Sequence, residues 1–396
     1  MLSPVARKRC PGHLARIICV LAFVAAPASG QVAFPPDSTI QVLLQQLVDG
    51  HGVTGIVVGL LAQDGTRRVI AHGGPGAGAL PLDGESVFEI GSMTKVFTGI
   101  LLADMVRRGE VELADPVAEL LPPHLSVPAR SGKSITLLDL TTHFSGLPMM
   151  PPNLAPADPE NPFADYTVSR LYESVSTYEL QRDPGDVFEY SNLGVALLGH
   201  ALSLRAGTTY EVLVSERILQ PLEMTHTAVT STPWMDDHLV RGHDRGGNPV
   251  SSWDFPTTAG MGGLRSTAND MLAFAAANLA AADPSSEGTG LALAMRDSHR
   301  GLRQVGAGVT YPGIPVAFEQ GRVGFNWFIS GPGKRRITWT VGLTGGYSSF
   351  LGLDLEARRA VVVLTNTGLN NVDFLGFHLL DPTVPMPEAR ESEGGH

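Results

Sequence analysis

Apolar and polar residues follow each other along this chain in patterns that predict a sheet interrupted by helices. Residues 39–48 have the spacing of an amphipathic helix, and the apolar runs 53–61 and 67–72 have the length and composition of two paired strands. Strand-like runs return between residues 325 and 364, with strands predicted over residues 335–341, 348–354 and 360–364. A closing helix is predicted over residues 372–380. The residues between the two strand regions have mostly helical patterns.

One predicted helix begins after Gly91 and ends at Gly109, and it brings two chemically useful side chains together. Ser92 lies at its amino end and Lys95 follows one turn later, so that the amine lies near the hydroxyl on one helix face. A serine becomes a nucleophile beside a base, and a lysine desolvated among apolar residues loses its proton near neutral pH. The alternative interpretation is an N-capping serine beside a solvated lysine. Of the four lysines, only Lys95 has a serine three residues before it.

A second stretch places Tyr190 and Asn192 at the start of another apolar helix, where a turn can present both side chains to one cleft. A phenol near Ser92 and Lys95 can pass a proton to a leaving group, and an asparagine amide can hold a substrate carbonyl. The structural alternative is that Tyr190 packs at the helix start and Asn192 caps it.

Composition narrows the possible partners and the compartment. The chain has 396 residues, of which 43% are hydrophobic and 17% charged, as in compact globular proteins. Its formal net charge of −11 makes nucleic acid and anionic membranes poor candidates as partners. Small-molecule or peptidoglycan-derived substrates stay open.

Residues 1–30 have the pattern of a secretory signal, with basic residues, an apolar run over residues 17–26 and small residues for cleavage. We therefore expect a periplasmic or secreted protein with no membrane span after signal removal. Both cysteines, Cys10 and Cys19, lie inside this segment, so the mature chain is expected to have no disulfide, thiol nucleophile or cysteine metal site.

Ser92-x-x-Lys95 followed by Tyr190-x-Asn192 resembles the signature of the serine β-lactamase and penicillin-binding superfamily. The flanking sequence is similar to the class C β-lactamases and to related D-alanyl-D-alanine carboxypeptidases/endopeptidases and esterases. The matching segments are residues 88–95, 135–148, 190–194, 220–224, 262–267 and 361–366.

The resemblance covers roughly residues 53–382 and implies an α+β fold. An antiparallel sheet flanked by helices would carry an all-helical insert. We expect one catalytic unit over residues 31–396, with the sheet region at about residues 31–105 and 260–382 and the helical region at about residues 106–259.

The resemblance also implies roles for the site residues. Ser92 would be acylated, and Lys95 and Tyr190 would share the roles of general base and general acid. Which of the two accepts the first proton is left open. Asn192 would orient the substrate amide, and the backbone N–H of Ser92 would form an oxyanion hole with an N–H of a neighbouring strand. No cofactor is expected. None of the twelve histidines is paired at metal-ligand spacing with a carboxylate partner, so no metal is expected either.

The chain departs from this family at a third motif, which has Lys or His, any residue and then Gly on that strand. Aligning on the following glycines places Thr340 and Gly342 in the motif, with Leu343 at the second oxyanion position. A different register starts the motif at Leu343. The cation is missing in both registers, and Arg335 or Arg336 is the alternative source of charge.

A hydrogen bond without charge assistance is weaker than one with it, so we expect a weakened preference for carboxylate-bearing substrates such as β-lactams and D-Ala-D-Ala peptides. Neutral esters or amides would be turned over relatively better. Two hypotheses therefore stand: an exported serine hydrolase that works through an acyl-enzyme, or a catalytically weakened relative that binds cell-wall peptides or a partner protein.

Two further stretches adjoin the candidate site. The proline-rich residues 148–163 form a long loop that either lines an active-site rim or is a surface excursion. His143 is predicted to be a structural hydrogen-bonding residue beneath the Ser92 helix. The oligomeric state is left open.

Overall fold

The computed structural model describes residue 1 and residues 33–386, except residues 51, 75–79, 286–287, 289, 307–309, 312–313, 318–320, 332 and 369–371. Apart from its first residue, the predicted signal segment therefore lies outside the described residues. The chain divides into two units, Met1–Ala33 and Phe34–His396, and the fold given below is that of the second.

The second unit is built on an eight-stranded antiparallel sheet. The described strands are β1 (Gly55–Leu61), β2 (Arg67–Gly73), β3 (Val87–Glu89), β4 (Ala129–Arg130), β5 (Lys133–Ser134), β6 (Arg265–Thr267), β7 (Arg303–Gln304), β8 (Thr310–Tyr311), β9 (Ile314–Ala317), β10 (Arg322–Gly324), β11 (Trp327–Ser330), β12 (Ile337–Leu343), β13 (Ser348–Asp354) and β14 (Arg359–Thr365). The order in the sheet is β2-β1-β14-β13-β12-β11-β10-β7, and β3 pairs with β6, β4 with β5 and β8 with β9.

Helices lie between and around these strands. The described α-helices are α1 (Asp37–Gly50), α2 (Thr94–Arg107), α3 (Leu137–Thr141), α4 (Val168–Thr177), α5 (Asn192–Ala206), α6 (Tyr210–Val214), α7 (Pro233–His238), α8 (Ala259–Gly262), α9 (Ala268–Ala281), α10 (Gly290–Ser298) and α11 (Asp373–Leu380). Residues 108–258, which the structure describes throughout, contain α3 to α7 and only the two-residue strands β4 and β5. None of the helices described is long and apolar enough to cross a membrane.

Both faces of the sheet are buried, which explains why the central strands are apolar without interruption. In β1, Val57 packs into the larger core, with Leu272 of α9. Its neighbour Val58 packs on the opposite face with Ile40 of α1 and Leu375 of α11. Successive side chains of a strand point to opposite faces, so a strand covered on both sides needs apolar residues at every position. The predicted α+β fold class is thereby matched by the architecture.

One helix differs from the sequence prediction for a local reason. The pattern predicts a helix from residue 167 towards residue 181, whereas α4 ends at Thr177 and Tyr178 has extended dihedral angles. The hydroxyls of Ser176 and Thr177 both donate to the carbonyl oxygen of Glu173. Such side-chain bonds compete with the backbone pattern of a helix and favour its end.

Candidate active site

A 3-10 turn just before α2 holds Ser92 against strand β12. Gly91 has a φ of 51°, and a Cβ at this position would lie 2.8 Å from the backbone nitrogen of Leu343. A Cβ on Gly342 would collide with the carbonyl oxygen of Ile90. Because neither glycine has a side chain, the turn lies directly on the strand, and Ser92 lies beside the Leu343 backbone.

Lys95 reaches Ser92 from the first turn of α2. Its Nζ donates to Ser92 Oγ at 2.8 Å and to the carbonyl oxygen of Met261 at 2.6 Å, and the residue is 2% exposed. Burial lowers the pKa of Lys95 well below its ordinary value of 10.5, because a charged amine is costly away from water. No carboxylate of the described residues forms an ion pair with it to offset this effect. The neutral amine can accept the Ser92 proton across the same contact.

Tyr190 lies on the other side of the amine. The Lys95 Nζ is 5.1 Å from the centre of the phenol ring, and Tyr190 lines the same cavity as Ser92. The phenol is largely buried, at 8% exposure. The structure therefore brings together the three side chains that the sequence analysis named as catalytic.

His143 supports the segment that carries the phenol. Its Nδ1 accepts the backbone N–H of Ser191 at 3.2 Å, and its ring lies 4.5 Å from the ring of Tyr190. Burial, with the charge of Lys95 as a second cause, lowers the pKa of His143 to about 3, so the imidazole is neutral at physiological pH. The predicted hydrogen-bonding role agrees with this geometry, but the bond goes to the residue after Tyr190 and not to α2.

Asn192 is the first residue of α5 and lines the cavity. Its Nδ2 donates to the sulfur of Met150 at 3.3 Å. The N-cap of α5 is Ser191, whose Oγ accepts the backbone N–H of Gly194 at 2.8 Å. The interpretation of Asn192 as the capping residue is therefore wrong.

Strand β12 presents alternate residues to the cavity. Val341 and Leu343 line it, whereas Thr340 and Gly342 are not among the lining residues. Thr340 is 2% exposed, and Gly342 packs against the carbonyl of Ile90. The structure thus brings Leu343 to the site but not Thr340 or Gly342, and the roles of these residues towards a substrate stay predictions.

The described residues supply no substitute for the missing cation at the cavity. Arg335 donates from Nη1 to Asp354 Oδ2 at 2.8 Å, and Arg336 is exposed beyond the far end of β12. Neither of them lines the cavity, and none of the described residues that line it carries a charge.

The rest of the lining is apolar and encloses a volume of about 200 Å³. Its apolar side chains are Met149, Met150, Phe163, Trp253, Phe255, Met261, Val341 and Leu343. The first three of these belong to the proline-rich loop, which therefore forms part of the rim. The sequence analysis missed Trp253 and Phe255, because they lie in a segment without helical or strand spacing.

Acidic, histidine and cysteine side chains are not grouped for metal binding in the described part of the chain, where no three of them could hold an ion.

The chain matches the family model described as Beta-lactamase over residues 40–376. It is 32% identical over 262 residues to the D-alanyl-D-alanine-carboxypeptidase/endopeptidase AmpH of Escherichia coli (strain K12), a match that covers 65% of this chain and 66% of that protein. It is 23% identical over 375 residues to a β-lactamase of the same organism, covering 89% of this chain and 95% of the relative. The chain thus spans just under two thirds of AmpH and nearly all of the β-lactamase.

Solved structures give the same fold. A β-lactamase/D-alanine carboxypeptidase from Yersinia pestis superposes with a TM-score of 0.70 at 24% identity, covering 88% of this chain and 99% of the other. The corresponding protein from Pseudomonas syringae has a TM-score of 0.73 at 18% identity, with the same coverage. This chain belongs to the β-lactamase family. The predicted fold class and family resemblance are confirmed.

Proposed function

We propose that this protein is an exported serine hydrolase that cleaves amide or ester bonds through an acyl-enzyme on Ser92. The observation that carries the proposal is the 2.8 Å contact between Ser92 Oγ and the buried amine of Lys95. Burial lowers the pKa of that amine, so a base is available beside the nucleophile near neutral pH. The basic and apolar residues 1–30 support export to the periplasm or the medium.

In the proposed acylation step, Ser92 Oγ attacks the carbonyl carbon of the substrate while its proton passes to Lys95 Nζ. The developing negative charge on the carbonyl oxygen is held by the backbone N–H groups of Ser92 and Leu343, an arrangement supported by the close packing of Gly91 on the Leu343 backbone. Tyr190, beside the amine, then relays the proton to the leaving group. Water reverses these transfers and releases the acyl group.

Asn192 is proposed to orient the substrate carbonyl. Its amide donates to the sulfur of Met150, and a thioether is a weak acceptor. A carbonyl oxygen of a substrate would be a better acceptor, so replacing the hydrogen bond to Met150 by one to the substrate costs little free energy. The names of the relatives make β-lactams and D-Ala-D-Ala peptides candidate substrates, and the family resemblance adds small esters.

A fluorophosphonate probe tests this proposal directly. We expect the purified protein to form a covalent adduct, and peptide mapping should locate it on Ser92. Ser176, an exposed serine of α4, is the internal control and should stay unmodified. An adduct on a different serine would contradict the proposal.

The absence of any adduct on folded protein would favour the second candidate, a relative that binds cell-wall peptides or a partner protein without turnover. The observation in its favour is that the cavity has no charged residue in its lining within the part of the chain that the structure describes. Circular dichroism on the same sample establishes that the protein is folded when the probe is applied.

A further inference from the structure

We propose that Ser92 acts on neutral carboxylic esters whose acyl part ends in an aromatic ring. The inference rests on the proposed hydrolase function and names the substrate class for it. Three features of the cavity carry it: a wall of aromatic rings, hydrogen bonds that hold this wall in place, and a lining whose described residues are all uncharged.

The wall consists of Phe163, Trp253 and Phe255. The rings of Phe163 and Phe255 are stacked, with centroids 5.1 Å apart and planes 19° apart, and Trp253 meets Phe163 edge-on at 5.8 Å. An apolar cavity of about 150 Å³ accommodates benzene. The volume of about 200 Å³ beside Ser92 therefore has room for one ring and a short linker to the carbonyl.

Hydrogen bonds between two loops hold the wall before any substrate arrives. Asn161, near Phe163, donates from Nδ2 to Asp254 Oδ2 at 2.9 Å and accepts the Asp254 N–H at 2.8 Å. The backbone N–H of Trp253 donates to the buried carboxylate of Glu89 at 2.7 Å. A surface ordered in this way loses little entropy when an aromatic group binds to it.

The three side chains of this wall carry no charge that could pair with a carboxylate. Arg265 lies behind Trp253, where its Nη2 donates to the Trp253 carbonyl and to Asp254 Oδ1, both at 3.0 Å. It does not line the cavity. A carboxylate bound against apolar side chains would lose water without gaining a charged partner, which is unfavourable.

For a methyl ester the proposed chemistry is balanced. The Ser92 Oγ–acyl carbon bond forms, the bond from that carbon to methoxide breaks, and the serine proton leaves with methoxide as methanol. Water then attacks the acyl carbon, the bond to Ser92 Oγ breaks, and the serine regains a proton as the carboxylic acid is released.

Three methyl esters test the proposal in a pH-stat: methyl phenylacetate, methyl 4-carboxyphenylacetate and methyl acetate. We expect kcat/KM for the phenylacetate to exceed that for the carboxylated ester by at least about 30-fold, since only the latter brings a charge into the cavity. It should exceed that for the acetate by at least about 10-fold, from burial of the ring. Equal or faster turnover of either comparison ester would overturn the substrate class.

Two variants connect these ratios to the cavity. Trp253→Ala should lower kcat/KM for methyl phenylacetate at least about 10-fold more than for methyl acetate. Trp234→Ala, on helix α7 and outside the cavity, should leave the ratio unchanged.

The fluorophosphonate adduct distinguishes failure of the hydrolase proposal from failure of the proposed substrate class. An adduct on Ser92 together with a preference for the carboxylated ester would leave the hydrolase proposal standing and overturn the substrate class. An adduct without turnover of any of the three esters would do the same. Absence of both adduct and turnover would overturn both proposals.

Discussion

Lys95→Met lowers kcat/KM by about 10²–10⁴-fold in our account, the range expected for loss of a general base. Methionine keeps an unbranched apolar stem in the buried position but cannot accept the Ser92 proton. The measurement is acylation of Ser92 by an ester substrate, followed under single-turnover conditions. Lys133→Met is the matched control, because Lys133 is an exposed lysine that pairs with Asp183 and Asp186. A Lys95→Met variant as active as Lys133→Met would contradict the account.

The same substitution has an opposite effect on stability, which separates a catalytic role from a structural one. The pKa of Lys95 is lower in the folded protein than its ordinary 10.5, so the unfolded chain binds more protons and wild-type stability rises with pH up to about 10.5. Below pH 10.5 the lowered pKa therefore costs folding stability, because the unfolded chain holds this proton more strongly than the folded protein does. Lys95→Met removes this cost.

The substitution also removes the hydrogen bond to the carbonyl oxygen of Met261, which costs about 1–3 kcal/mol of stability. The first effect depends on pH, whereas the second does not. We therefore expect urea unfolding to find Lys95→Met more stable relative to the wild type at pH 7 than at pH 9.5. If the stability of Lys95→Met relative to the wild type increased with pH, the result would contradict a lowered pKa of Lys95.

Gly342→Ala is expected to reduce kcat/KM at least about 100-fold, because it moves the oxyanion donors apart. The new methyl group would collide with the Ile90 carbonyl oxygen and approach Ser349 Oγ to 2.6 Å. The Ser92 turn then has to leave β12, and the strain costs about 1–3 kcal/mol of stability. Activity and urea unfolding of the same preparation measure both effects.

Two controls accompany this variant. Gly290→Ala, at the start of α10, adds a methyl group with no neighbour within 4 Å and should change neither activity nor folding appreciably. Ser349→Ala removes the hydrogen bonds from Ser349 Oγ to the carbonyl oxygens of Ile90 and Gly342 without adding a clash, so it should remain folded and lose less activity. Wild-type acylation by Gly342→Ala would show that the close packing of turn and strand is not required.

The sequence predicts best what depends on local spacing. Ser92 and Lys95 are three residues apart, and their contact is kept because the 3-10 turn that carries Ser92 runs directly into α2. Strand β13 has the predicted bounds, residues 348–354, and β14 extends one residue beyond each end of the predicted 360–364. Long apolar runs covered on both faces leave little choice of secondary structure.

What the sequence leaves open depends on distant segments meeting. The convergence of Tyr190 with Lys95 followed from the family resemblance and not from spacing. No sequence pattern predicts the aromatic wall, since Phe163 and Trp253 lie in different irregular segments that are joined by the Asn161–Asp254 hydrogen bonds. The orientation of β12 likewise needed the sheet, because only its packing decides whether Thr340 or Leu343 faces the cavity.

The proposed mechanism requires the buried amine beside Ser92 to be neutral at a pH where ordinary lysines are charged. The chain has only four lysines, so selective isotopic labelling of lysine and NMR titration can observe each amine separately. We predict one resonance that titrates well below 10.5 and is lost in Lys95→Met. Lys133 should titrate above 10.5, because its hydrogen bonds to Asp186 and Asp183 raise its pKa. A Lys95 resonance that titrates at or above 10.5 would contradict the account.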